Sequence, residues 1–156
     1  MIENIPSLLK ALGSAGPALE AFTNWRAKAR GGARSLVEEL KENSRYFWLF
    51  LEQDVELKEI IPQLSTSEYD RLCREGFNFN ALKRKKIPNN ISLEGTDLSS
   101  WQGKTTNDLV SSIYDKIKDL KTIYPYTAKS KNVQWKRRIK NIQKRILLLQ
   151  THVSSK

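Results

Sequence analysis

A regular apolar repeat near the end of the chain limits its possible folds more than any other sequence feature. Six apolar residues recur at steps of four, three, four, three and four: Trp135, Ile139, Ile142, Ile146, Leu149 and Val153. Such steps place side chains in one stripe along an α-helix, whereas a half-buried β-strand has a period of two. The repeat predicts a helix over about residues 131–153 that packs its stripe against other helices.

The preceding segment predicts the partner of that helix. Thr105 and Asp108 have the spacing of a capping box, which opens a helix, and Pro125 predicts that the helix ends near Tyr124. The apolar positions of this helix form one face: Leu109, Val110, Ile113, Ile117, Leu120 and Tyr124. Two amphipathic helices joined by a short turn form an antiparallel hairpin, here over residues 104–153.

Residues 17–76 also have helical patterns. Adjacent glycines at Gly31 and Gly32 predict a kink or break, and an apolar stripe follows them over about residues 33–54. Asn43 and Ser44 interrupt this stripe, and we expect them to be a satisfied polar pair inside a helix bundle.

Two shorter helices are expected before residue 77. The first covers about residues 55–64, and the second covers about residues 66–75. Ser65 and Glu68 have the spacing of a capping box for the second helix, and Gly76 is placed to end it.

The chain as a whole predicts one all-α domain, an up-and-down helical bundle. Its 156 residues fit a single domain, and no stretch has a convincing strand pattern. Residues 1–16 predict a short helix and a turn, while residues 77–103 have no sustained period and predict a long irregular segment. Five apolar side chains should hold this segment to the body: Phe77, Phe79, Ile87, Leu93 and Trp101.

The counts of metal-binding and redox-active residues exclude several classes of protein. Cys73 and His152 are the only cysteine and histidine, which excludes an intrachain disulfide and a multi-thiolate or multi-imidazole zinc site. We therefore expect no cofactor and no metal, with Cys73 as a small core residue. No apolar run has the length of a membrane span and no secretory signal is evident, so we expect a cytoplasmic protein.

The net charge of +10 is concentrated at one end of the chain. Residues 1–65 hold eight basic and nine acidic side chains, and residues 101–156 hold 13 and three. Eight basic residues between positions 129 and 145 are candidate phosphate contacts: Lys129, Lys131, Lys136, Arg137, Arg138, Lys140, Lys144 and Arg145. A second candidate contact is the run Lys83, Arg84, Lys85 and Lys86, and stacking surfaces could come from Phe77, Phe79, Tyr126 or Trp135.

Arg145 and His152 are seven residues apart, so they project from one side of the last helix, where we expect both to flank the core. An arginine and a histidine at this spacing on a helix of a small all-α bundle resemble the HEPN superfamily. The resemblance implies metal-independent RNA cleavage in a cleft between two protomers, with His152 handling the proton of a ribose 2′-hydroxyl and Arg145 holding the phosphate. Alternatively, His152 interacts as a cation with the carbonyls at the helix C-terminus.

Three functions follow from these patterns. The leading one is a non-enzymatic basic binding module, a small subunit of a larger assembly that engages nucleic acid, RNA or DNA, through its C-terminal hairpin. The second is a HEPN-type ribonuclease that uses Arg145 and His152, possible as a homodimer. The third is a structural or regulatory subunit that binds an acidic protein partner or docks through the aromatic residues 46–51.

Overall fold

The computed structural model describes residues 22, 25–27, 29–88, 98–130 and 132–154, and these are all-α with no strand. Five α-helices follow one another within the described ranges: α1 (Gly32–Glu52), α2 (Leu57–Ile60), α3 (Ser67–Arg74), α4 (Thr106–Thr127) and α5 (Trp135–Ser154). Short 3₁₀ turns occur at Ile61–Gln63, Phe79–Leu82 and Ser99–Trp101. The helix and turn that the sequence predicts within residues 1–16 lie outside the described part of the chain.

The chain breaks at the glycine pair, as predicted. Gly31 has a φ of 53°, a left-handed conformation that costs glycine little, and α1 begins at Gly32. An added Cβ at Gly32 would lie 2.6 Å from Cδ2 of Leu72. Because residue 32 has no side chain, the start of α1 packs directly against Leu72 of α3.

The N-terminus of α3 is capped by a side chain from another helix, so the predicted capping box of Ser65 and Glu68 is wrong. The carboxylate of Glu39, on α1, accepts hydrogen bonds from the backbone N–H groups of Glu68 (2.8 Å) and Tyr69 (3.1 Å). It also accepts one from the Ser65 hydroxyl at 2.9 Å. The predicted end at Gly76 is confirmed, because Gly76 has a φ of 74° and its N–H donates to the carbonyl of Cys73.

Helix α4 begins as predicted and ends three residues later than predicted. Thr105 and Asp108 form both hydrogen bonds of the capping box. Pro125 lies inside the last turn instead of ending the helix. Since proline lacks an N–H, it removes one hydrogen bond so close to the terminus that the helix continues to Thr127.

Helix α5 begins at Trp135, four residues after the predicted start, and Lys131 lies outside the described residues. The apolar stripe is confirmed, with four members between 0% and 2% exposed: Ile139, Ile142, Ile146 and Leu149. Trp135 and Val153 are partly buried at its two ends.

The order of the helices is up-and-down, as predicted. Helix α3 runs antiparallel to α1, since Glu39 meets the start of α3 while Ser35 accepts a hydrogen bond from Arg71 further along. Helix α4 runs antiparallel to α3, because Lys118 pairs with Asp70 and Lys121 donates to the carbonyl of Leu64, before α3.

The last two helices form the predicted antiparallel hairpin. Thr106, at the start of α4, bonds His152 near the end of α5 at 3.1 Å. At the other end, the rings of Tyr124 and Trp135 meet edge to face, with centroids 5.3 Å apart.

The two polar residues that interrupt the α1 stripe are buried and satisfied, as predicted. Asn43 exchanges two hydrogen bonds with the backbone of Ser65, at 2.8 and 2.9 Å. The hydroxyl of Ser44 donates a hydrogen bond of 2.8 Å to the side-chain oxygen of Gln143 on α5. The side-chain amide of Gln143 donates one of 3.0 Å to the backbone carbonyl of Ser44. These reciprocal bonds fix how α1 and α5 are aligned, because a shift of either helix would leave buried polar groups unpaired.

Residues 77–103 are irregular where they are described, and apolar side chains hold them to the body. Phe79, Ile87 and Trp101 are between 2% and 7% exposed, and Phe77 is partly buried. Leu93 lies outside the described residues. Cys73 is exposed, which corrects the expectation of a core residue, because α3 turns the neighbouring Leu72 into the core.

Candidate nucleic-acid interface

Helix α5 divides into an exposed basic half and a buried half. Four side chains of its first two turns are exposed: Lys136, Arg137, Arg138 and Lys140. Six residues of its last three turns are buried: Ile146, Leu147, Leu148, Leu149, Gln150 and His152. The accessible charge of α5 is therefore concentrated toward the turn that joins it to α4.

Four basic residues of α5 share one side of the helix, which we call the basic face: Lys136, Arg137, Lys140 and Lys144. At 100° per residue they fall within an arc of about 100°. Lys144 is half-buried and the other three are exposed. Arg138 points elsewhere, toward a groove of about 460 Å³ between α4 and α5 that Asp119 and Lys116 also line. Because this groove carries both signs of charge, the basic face offers the stronger attraction for phosphate.

The second basic run is located at the opposite end of the hairpin. We call residues 83–86 the basic loop. The carbonyl of Lys83 accepts a hydrogen bond of 2.6 Å from the hydroxyl of Thr106. Just after the loop, Ile87 is buried, and its N–H and carbonyl pair with Lys104 and Gly103 at 2.9 and 2.8 Å. The loop is thus attached to the start of α4, while Arg84, Lys85 and Lys86 have exposed side chains.

A tryptophan with two cations lies between the basic loop and α5. The Nζ atom of Lys104 is 4.7 Å from the ring centroid of Trp101, and the guanidinium carbon of Arg145 is 6.0 Å from it. Lys104 is not among the basic residues predicted from the sequence, because it lies outside both runs of basic residues. The one signal in the sequence is its position directly before Thr105, the first residue of the capping box.

The structure places Arg145 at the middle of α5 and His152 near its end, in different environments. Arg145 is half-buried and donates to the carbonyl of Asn141 at 3.1 Å. His152 is only 2% exposed, which corrects the expectation that it flanks the core. The basic loop and the start of α4 cover this side of α5, and the sequence pattern of α5 alone does not contain that information.

The imidazole of His152 is held by the start of α4 and by the backbone of the basic loop. Its Nε2 lies 3.1 Å from the Thr106 hydroxyl. Since that hydroxyl donates its proton to Lys83, the histidine must donate through Nε2. Burial lowers the pKa of His152, the charge of Lys83 lowers it further, and the backbone of Lys85, which favours the protonated ring, opposes this shift. The side chain is therefore neutral at pH 7.

The candidate stacking residues differ in their access to solvent. Phe79 is 3% exposed and its ring stacks on Tyr69, with centroids 5.3 Å apart. Phe77 and Trp135 are partly buried against the core. Tyr126 is 87% exposed, three residues before the exposed Lys129. Of the four candidates, Tyr126 alone offers an open ring.

The described ranges lack two other kinds of feature. They contain no group of three or more His, Cys, Asp or Glu side chains placed to hold a metal ion. No helix among them combines the length and apolar character needed to cross a membrane.

Comparison of the chain with protein-family models, with curated proteins and with solved structures finds no match. The resemblance to the HEPN superfamily therefore stays a prediction from the spacing of Arg145 and His152.

Proposed function

We propose that this protein is a non-enzymatic module that binds single-stranded nucleic acid through the basic face of α5. The observation that carries the proposal is exposed positive charge without local compensation. Within the described ranges, Lys136, Arg137 and Lys140 form no ion pair with a carboxylate. Phosphates would supply the missing negative charge and release their counterions.

Ion pairs elsewhere in the described part of the chain support this interpretation by contrast. Five basic residues outside α5 have an acidic partner within ion-pair distance: Arg26 with Glu38, Arg45 with Glu42, Lys58 with Glu56, Arg71 with Glu68 and Glu75, and Lys118 with Asp70. Positive charge that served only solubility would not need to be gathered on one helix.

Tyr126 favours single strands over a duplex. Its open ring is located at the end of the hairpin that also carries Lys129 and Lys136. An unpaired base can stack on such a ring, whereas the bases of a duplex are already stacked on each other. The basic face alone holds phosphates, so we expect little preference for base sequence.

Charge reversal tests the proposal. Changing Lys136, Arg137 and Lys140 together to Glu should abolish binding of a fluorescent oligo(dT) at low salt, measured by anisotropy. Wild-type affinity should fall steeply with salt, by about 0.7 in log K per log unit of salt for each phosphate contact.

A matched control has the same change in net charge at positions outside α5. Arg30, Arg34 and Arg74 are exposed, and their joint change to Glu should leave most of the affinity. Equal losses of affinity in the two triple variants would show that net charge alone causes the effect, and would overturn the assignment to the basic face. A wild-type protein that binds neither oligo(dT) nor oligo(U) at low salt would overturn the proposal itself and favour an acidic protein partner.

Cleavage by Arg145 and His152 is not part of this proposal, because the imidazole is buried and bonded to Thr106. RNA cleavage without metal that is lost in both His152→Ala and Arg145→Ala would reinstate the ribonuclease prediction.

A further inference from the structure

We infer that His152 and Thr106 are positioning residues that dock the basic loop as a second phosphate site for the same strand. The inference rests on the proposed function, since it extends the contact made by the basic face. It gives the histidine a role in binding nucleic acid without contact between its ring and the ligand.

The backbone of the basic loop is held by hydrogen bonds to the start of α4 and to the residues before α4. Thr106 donates to the carbonyl of Lys83, and His152 donates to Thr106, so the three form one hydrogen-bonded chain. The backbone of Ile87 is paired on both sides. Three backbone hydrogen bonds within five residues hold a segment that has no helix or strand of its own.

Only the backbone is engaged in these attachments, so the side chains of Arg84, Lys85 and Lys86 extend into solvent. A charged loop that is fixed before binding loses less conformational entropy when it meets phosphate than a loose loop does. The attachments therefore increase affinity for phosphate.

Geometry links the basic loop to the basic face. From Lys136 to His152 there are 16 helical steps, or about 24 Å at 1.5 Å per residue. A stacked strand advances about 3.4 Å per nucleotide, so about seven nucleotides span this distance. Lys104 and Arg145 lie beside Trp101 between the two sites, which makes the positive charge continuous along the path.

The test compares two oligonucleotide lengths. A six-nucleotide oligo(dT) can reach one site, and a 15-nucleotide oligo(dT) can reach both. We expect the wild-type protein to bind the longer oligonucleotide at least about tenfold more tightly, because the second contact is intramolecular.

Thr106→Val removes the hydroxyl that joins His152 to the basic loop. It should remove most of the advantage of the longer oligonucleotide and reduce its salt slope by about 2, for three lost contacts. Affinity for the short oligonucleotide should not change. Thr106→Ser keeps the hydroxyl and should restore both values.

Two further variants separate docking from folding. Thr105→Ala weakens the adjacent cap without touching the basic loop, and should leave the length dependence intact. The double change of Lys85 and Lys86 to Glu alters exposed side chains only. It should remove the advantage of the longer oligonucleotide, and it provides the test if Thr106→Val does not fold. If neither Thr106→Val nor the pair Lys85→Glu and Lys86→Glu weakens binding of the longer oligonucleotide, the inference is overturned and the proposed function stands. Absence of wild-type binding to either length overturns both.

Discussion

At the scale of the residue, the carboxylate of Glu39 connects two helices, and its removal should be costly. Glu39→Ala leaves the first N–H groups of α3 without their partner, so we expect a loss of about 2–3 kcal/mol in the free energy of unfolding. Urea denaturation followed by circular dichroism measures it. Glu42→Ala is the control, since Glu42 pairs with Arg45 on the surface in the described part of the chain, and should cost less than about 0.5 kcal/mol. Equal losses would contradict the capping role.

His152 should make stability depend on pH near neutrality. Because burial lowers its pKa in the folded state, the unfolded chain binds a proton first as the pH falls below about 6.5. Stability is therefore complete above that pH and decreases as the pH falls toward the folded-state pKa.

The measurement is the melting temperature between pH 7.5 and pH 5.5. His152→Gln retains a donor for Thr106 but does not titrate, so its melting temperature should decrease less over this interval. If both proteins lose the same amount, His152 is not the group responsible.

At the scale of the element, two helices with threonine at the N-cap make a direct comparison. Thr105 accepts a hydrogen bond from the N–H of Asp108 at 3.1 Å, whereas the side chain of Thr66 makes no capping bond to α3. Thr105→Ala should reduce the free energy of unfolding by about 1 kcal/mol and Thr66→Ala by clearly less. Chemical denaturation of the two variants checks the order, and the reverse order would contradict the assigned caps.

At the scale of the whole molecule, the uncompensated charge of the hairpin should oppose folding. Like charges on one helix repel each other, and salt screens them over about 10 Å at 0.1 M. We expect the melting temperature to rise between 20 and 200 mM NaCl, and to rise less in the variant with Lys136, Arg137 and Lys140 changed to Glu. A salt dependence that is equal in both proteins would show that this charge does not destabilise the fold.

The sequence determined those parts of the fold that depend on local chemistry. The apolar stripe of α5, the capping box of α4, the glycine break before α1 and the stop at Gly76 each follow from residues close together in the chain. Helical periodicity and caps depend on residues within one or two turns, so residues close together in the sequence are sufficient to predict them. The boundary errors at Pro125 and Trp135 arise where the terminal turns are least constrained.

Some features of the candidate site can be predicted from the sequence, and others depend on contacts between distant residues. The concentration of charge on the hairpin follows from counting side chains. The burial of His152 against Thr106, the attachment of the basic loop to Thr106 and the cap from Glu39 join residues that are 23 to 46 positions apart.

Neighbouring residues therefore specify an all-α chain with a basic hairpin at its end. The packing of distant segments leaves the basic face open, encloses His152 and places the basic loop at the far end of α5. The physical reason is that local patterns specify which face of a helix is apolar, whereas burial and long-range hydrogen bonds depend on which segment covers that helix.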